Sequence, residues 1–143
     1  MARAAVFVDS SAWVALLYRR DQAHERAVRS WNGLRTAGRA LVTTNLVLAE
    51  THGFLLHRLG SGAALAFLEH QRAFGPGLVW ADPDLTDAAV ERWLRRFRDQ
   101  TFSLTDAVSF EVMGREGIRE SFTFDRHFEI AGFEMFSPST PTS

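Results

Sequence analysis

Four carboxylates stand where chemistry is possible: Asp9, Glu50, Asp106 and Asp125. Asp9 ends the apolar run Ala5-Val6-Phe7-Val8, and Asp125 ends Ser121-Phe122-Thr123-Phe124, so both mark junctions where an expected strand stops. Asp is also a preferred helix N-cap, and either residue taken alone could simply satisfy helix amides. Asp106 follows Ser103-Leu104-Thr105 in the first turn of an expected helix, where an acid suits the helix dipole and half of a capping box. Leu104, Ala107, Val108 and Phe110 make that turn apolar and set the carboxylate near a buried seam. Glu50 lies in the middle of Asn45-Leu-Val-Leu-Ala-Glu50-Thr-His-Gly-Phe54, away from any helix end, so capping does not account for it. Helical spacing sets it among Leu46, Val47, Gly53 and Phe54 and predicts a carboxylate projecting from an apolar stripe. Unpaired burial there would cost several kcal/mol and demands a cation or a function.

Carboxylates gathered at one place repel one another, and either a shared proton or a bound divalent metal resolves the repulsion. An all-oxygen set suits Mg²⁺ or Mn²⁺, hard ions that keep several waters. Such waters become nucleophiles, and the ion neutralises a phosphate oxygen during in-line displacement, so phosphodiester hydrolysis is the chemistry that follows. Other active-site types fail on inspection. All sixteen basic residues are Arg, so there is no phosphate loop with its Lys; His52 and His57 are five apart and do not share a helix face. No Gly-x-Ser-x-Gly elbow and no cysteine is present. His24, His52, His57, His70 and His127 read as surface or packing residues.

Strands are expected at Ala5 to Val8, Ala40 to Thr43, Leu78 to Trp80 and Ser121 to Phe124, with a fifth at the edge over Phe133 to Phe136. Between them lie helical patterns: Ser10 to Leu17, Gln22 to Ala37 stopped by Gly38, and Asn45 as N-cap of a helix closed at Leu59 by Gly60. Ser61 caps the next, which ends near Phe74 to Gly77; Pro83 opens one reaching Phe97; Ser103 or Thr105 starts the last, to Gly114 or Gly117. Strands alternating with helices predict an α/β fold with a mainly parallel sheet covered on both faces. In such a sheet a ligand site lies beyond the carboxyl ends of the strands, where strand order reverses.

The chain has 143 residues, 46% hydrophobic and 23% charged, with a formal net charge of −1. This fits one domain and excludes a globally basic nucleic-acid coat, so a polyanion must be gripped locally. Arg92, Arg95 and Arg96 share a helix face and could bind phosphate, although a solvated face is the commoner use of such a group. Trp13, Trp31, Trp93 and the twelve Phe read as core or interface. No run approaches the roughly 18 apolar residues of a membrane span, which leads us to expect a soluble, unexported, cytoplasmic protein. The Ser, Thr and Pro of residues 137–143 read as a disordered tail after a single domain over 1–136.

The four acids in their contexts resemble the PIN domain, a family of small metal-dependent nucleases that includes the VapC toxins of toxin-antitoxin modules. The matching segments are Val6-Phe-Val-Asp9-Ser-Ser-Ala, Leu46-Val-Leu-Ala-Glu50, Ser103-Leu-Thr-Asp106-Ala-Val-Ser-Phe and Phe122-Thr-Phe-Asp125-Arg-His-Phe. The resemblance runs from Val6 to about Phe136. It implies a three-layer α/β/α fold with a twisted sheet of four or five strands and a Mg²⁺ or Mn²⁺ site. Asp9 and Asp106 would be direct ligands; Glu50 would help hold the metal or its water. Asp125 would complete or orient the site, and Ser11 and Thr123 would hydrogen-bond to the ligands. It further implies an endoribonuclease toxin leaving 3′-hydroxyl and 5′-phosphate ends, a homodimer, and an antitoxin lying in an apolar groove and covering the acids. A solitary PIN ribonuclease in RNA processing and a non-catalytic RNA- or protein-binding module are the alternatives.

Overall fold

In the computed structural model, residues 4–72 and 77–138 are described, so the expected helix end over residues 73–76 and most of the expected tail lie outside the described residues. Five strands, β1 (Val6–Val8), β2 (Leu41–Thr44), β3 (Leu78–Val79), β4 (Glu120–Phe122) and β5 (Glu134–Met135), form one sheet in the order β3-β2-β1-β4-β5. Every pairing is parallel, with Val6 opposite both Leu41 and Glu120. The central position of β1 explains its composition: Val6, Phe7 and Val8 are fully buried, as a strand covered on both faces must be.

Helices α1 (Ser10–Leu17) and α2 (His24–Thr36) join β1 to β2, and α3 (Asn45–Leu59) and α4 (Ser61–Gln71) join β2 to β3. The chain then crosses back by α5 (Pro83–Ala89), a π-helical turn (Val90–Arg95) and α6 (Leu104–Glu116) to β4; α7 (His127–Ile130) leads to β5. Parallel crossovers are right-handed, so connections running in opposite directions across the sheet fall on opposite faces. The contacts agree: α1 packs on α2 and α3, and α3 on α4, while α6 packs on α5, the π turn and α7. The second layer is aromatic. Phe110, fully buried on α6, meets Phe102, Phe128 and Trp93 edge-on at centroid distances of 5.0, 4.9 and 5.1 Å.

Several expected boundaries move. Thr44, not Asn45, caps α3 through a bond from Val47 N to its Oγ1 at 3.2 Å; Asn45 Oδ1 instead accepts from Ala81 N at 2.7 Å and ties α3 to the end of β3. Gly60, with φ +92° and no side chain to bond, occupies the cap position expected of Ser61. The helix opened by Pro83 is α-helical only to Ala89 and continues as a π turn. Ser103 caps α6, which ends at the left-handed Gly117. Pro138 lies against α2, where a Cβ on Gly33 would sit 3.3 Å from it.

Candidate active site

Strand order reverses between β1 and β4, and the carboxyl ends of these two strands carry Asp9 and Thr123 to Asp125. Asp9 is 2% exposed. It caps α1, and its Oδ2 accepts from Ser11 N at 3.4 Å, Ser11 Oγ at 2.8 Å and Thr123 Oγ1 at 2.9 Å. Ser11 Oγ in turn accepts from Phe124 N at 3.0 Å, and Thr123 Oγ1 from Asp125 N at 3.0 Å, so two hydroxyls bind the β1 and β4 termini into one unit. Burial pushes the Asp9 carboxyl up to about 6 from an ordinary 3.8; the hydroxyl bonds from Ser11 and Thr123 oppose this, and the charge of Asp106 adds to it. A buried acid that resists ionising beside another acid is a site short of positive charge.

Asp106 is buried in the first turn of α6. Its capping box is complete: Asp106 N donates to Ser103 Oγ at 3.0 Å, and Ser103 N donates to Asp106 Oδ2 at 3.1 Å. The same Oδ2 lies 3.1 Å from His127 Nδ1. Asp125 Oδ1 accepts from His127 N at 2.9 Å and stands 3.6 Å from His127 Nδ1. Thus Asp106 and Asp125 each have one oxygen anchored, while Asp106 Oδ1 and Asp125 Oδ2 take no hydrogen bond among the described residues. Ligand atoms of Asp106, Asp125 and His127 lie within 4.8 Å of one another, a group able to hold a metal ion.

Glu50 corrects the sequence reading, for its side chain is exposed instead of set in an apolar stripe. Of its expected apolar neighbours Val47 is buried, Leu46 and Phe54 are half-buried and Gly53 is exposed, so Glu50 stands at the edge of the buried face of α3. Glu50 reaches the site through Ser10, whose Oγ donates to its Oε2 at 2.7 Å, and Ser10 is the neighbour of Asp9. His127 is the second correction, since it lies among the acids and not at an indifferent surface. The signal available for it was the Asp-x-His spacing across a strand-to-helix turn, which returns residue i+2 to the side chain of residue i. Of the arginine group, Arg92 lies 3.8 Å from Glu111, Arg95 pairs with Glu91 at 2.8 Å, and Arg96 sits over the Phe97 ring. Glu111, which nothing in the periodicity singled out, is buried and accepts from Trp93 Nε1 at 3.3 Å and Arg115 Nε at 3.0 Å.

A profile of the PIN domain matches residues 6–134. The chain belongs to the PIN domain family. It is 35% identical over 133 residues to the 23S rRNA-specific endonuclease VapC20 of Mycobacterium tuberculosis, across 93% of this chain and 98% of that protein. The crystal structure of Mycobacterium tuberculosis VapC20, titled a sarcin-ricin loop cleaving toxin, superposes with a TM-score of 0.82 over 94% of this chain and 100% of that one. A structure of FitAB bound to a DNA fragment shares the fold at a TM-score of 0.66 and 15% identity, covering 96% of this chain and 98% of its own.

This PIN domain also carries an apolar groove of about 770 Å³ between α1, α2, α3 and α4, lined by Trp13, Leu17, Trp31, Leu55, Leu59 and Phe67 among others. Leu17 and Leu59 are exposed there at 42% and 46%. Helix α1 is shared: Asp9 caps its first turn, and Trp13 and Leu17 line the groove about 6 and about 12 Å further along the helix axis. No helix among the described residues is long and apolar enough to cross a membrane.

Proposed function

We propose that this PIN domain is a VapC-like endoribonuclease toxin that hydrolyses a phosphodiester bond of ribosomal RNA in the cytoplasm. The observation that carries the reading is the gathering of three acids at the switch point of the sheet: Asp106 and Asp125 have ligand atoms within 4.8 Å of each other, and Asp9 is tied to Asp125 through Thr123 and has its carboxyl raised to about 6 by burial, with a smaller contribution from the charge of Asp106. The donor set fits a divalent cation, since Asp106 and Asp125 each offer an oxygen free of hydrogen bonds among the described residues and the buried Asp9 carboxyl, raised chiefly by desolvation and further by Asp106, would be relieved by a positive charge. Asp9 and Asp106 would hold Mg²⁺ or Mn²⁺, with Asp125 completing the site. When bound, the ion supplies Lewis acidity, making a nucleophile of water and neutralising charge on the phosphate.

The protein's own groups set the geometry. Ser11 and Thr123 fix Asp9 Oδ2, and Ser103 fixes Asp106 Oδ2, so neither carboxylate turns away when a phosphate approaches. Glu50, exposed at the rim and held by Ser10, would help hold the metal's water and accept a proton from it. The Arg92, Arg95 and Arg96 face serves RNA only weakly, because Glu111 and Glu91 already take up two of its charges.

The likeness to VapC20 in sequence and fold supports the sarcin-ricin loop of 23S rRNA as substrate. An antitoxin occupies the groove through an apolar segment, and a few extended residues continue from it along α1 to cover Asp9; the toxin acts as a homodimer. Purified protein mixed with ribosomes or a sarcin-ricin loop oligonucleotide and Mg²⁺ or Mn²⁺ should make one principal cut, leaving a 3′-hydroxyl. EDTA or Asp106→Asn should abolish it. RNA binding without any cut would overturn the enzymatic reading, and cuts spread over unrelated RNA would overturn the substrate. Leu59→Asp should release the antitoxin while leaving cleavage intact.

A further inference from the structure

We propose that His127 is a nitrogen ligand of the catalytic metal, so that the site is a mixed nitrogen and oxygen centre that prefers Mn²⁺ to Mg²⁺. The proposal rests on the reading that the acidic site binds a divalent cation.

The geometry is that of a ligand. Octahedral bonds of about 2.1 Å place neighbouring donor atoms about 3 Å apart. His127 Nδ1 lies 3.1 Å from Asp106 Oδ2, which matches that spacing, and 3.6 Å from Asp125 Oδ1, and the same two carboxylates carry Asp106 Oδ1 and Asp125 Oδ2, the oxygens free of hydrogen bonds among the described residues. The ring is held there from three directions: His127 N donates to Asp125 Oδ1 at 2.9 Å, Phe102 packs edge-on at 5.2 Å, and Nε2 stands 3.3 Å from Thr101 Oγ1. The Thr101 contact matters most for the chemistry. A metal-binding imidazole presents the lone pair of one nitrogen and donates the proton of the other to an outer partner. With Nε2–H given to Thr101, Nδ1 is the nitrogen that faces the carboxylates with its lone pair. Without the ion, the other tautomer lets Nδ1–H donate to Asp106 and keeps the ring in place.

The other histidines of known contact are engaged elsewhere, His24 Nδ1 with Ala15 O and His70 Nδ1 with Ala66 O. Imidazole is a ligand of first-row transition ions, among which Mn²⁺ binds it most weakly, whereas Mg²⁺ is held by oxygen donors, so one nitrogen among carboxylates moves selectivity away from Mg²⁺ toward the transition series.

Electron spin-echo envelope modulation of Mn²⁺ bound to the full chain reads this directly. The wild type should show the ¹⁴N modulation of a coordinated imidazole, converting to the ¹⁵N pattern in protein grown on ¹⁵N-histidine. His127→Asp restores an all-oxygen set and should lose the modulation while still binding metal, and the preference for Mn²⁺ over Mg²⁺, measured by titration, should fall about tenfold. Mn²⁺ bound to the wild type without ¹⁴N modulation overturns the proposal and leaves the acidic site as a metal site. No saturable Mn²⁺ binding by the wild type overturns the metal reading itself. The wild-type spectrum decides the matter even if the variant fails to fold.

Discussion

Replacing Asp9 with Asn should make the metal-free protein more stable while abolishing cleavage. Asp9 is ionised with difficulty in the native state, its carboxyl pushed up to about 6 by burial and by Asp106, against 3.8 when the chain is unfolded. Below about pH 4 both states hold the proton and the carboxyl costs nothing. As pH rises from about 4 to about 6, the unfolded chain releases its proton first, and stability is lost by about 1.4 kcal/mol per pH unit. Above pH 6 the loss is complete at roughly 3 kcal/mol. Asn keeps an oxygen for the Ser11 and Thr123 hydroxyls and carries no charge, so the variant escapes this loss. For a chain of 143 residues, roughly 3 kcal/mol corresponds to a rise in Tm of about 10 °C. Thermal unfolding in EDTA at pH 4, 6 and 8 tests it: the two proteins should melt together at pH 4 and separate by about 10 °C at pH 8. A gap that is constant with pH, or a variant that melts below the wild type at pH 8, would refute the argument. Mn²⁺ at a hundredfold excess over its Kd should then raise wild-type stability by about 2.7 kcal/mol and leave Asp9→Asn nearly unmoved.

Ser103→Ala removes the hydroxyl that accepts from Asp106 N and caps α6, and should cost about 1 kcal/mol by urea unfolding, while the main-chain Ser103 N bond that holds Asp106 Oδ2 remains and cleavage by the folded protein persists. Glu111→Ala leaves the Trp93 indole N–H without its acceptor in a buried seam and should cost about 1–3 kcal/mol, with metal-dependent cleavage of the folded fraction unchanged. Phe110→Ala empties the centre of the aromatic layer and should cost about 3–5 kcal/mol, enough to lower soluble yield in expression trials. Arg95→Ala breaks only an exposed pair with Glu91 and should shift stability by less than about 0.5 kcal/mol; an RNA affinity reduced more than threefold in a filter-binding titration would show that this face grips the substrate after all.

Much of this molecule is legible along the chain because its signals are local. Val6 to Val8 are apolar without alternation since a central parallel strand is buried on both sides, and Gly60 and Gly117 end their helices with positive φ. Ser103 and Asp106 stand three apart, as a capping box requires. The places where the reading moved are set by partners distant in sequence. Thr44 rather than Asn45 caps α3 because Ala81 claims the Asn45 side chain. Glu50 sits among apolar neighbours in sequence, yet among the described residues its carboxylate lies at the edge of the face that α3 buries, against Ser10 of α1, so helical periodicity alone implied a burial that the fold does not supply.

The sequence by itself determined which carboxylates stand at strand and helix termini, and a parallel α/β arrangement brings those termini to one edge whatever the details of packing. The tertiary structure decided the electrical state of the site. It buried Asp9 beside Asp106 so that one of them resists ionising, turned His127 inward against two carboxylates, and spent Arg92 and Arg95 on Glu111 and Glu91. Burial and through-space charge depend on which distant segments meet, and residue order along a chain carries that information only after the chain has folded.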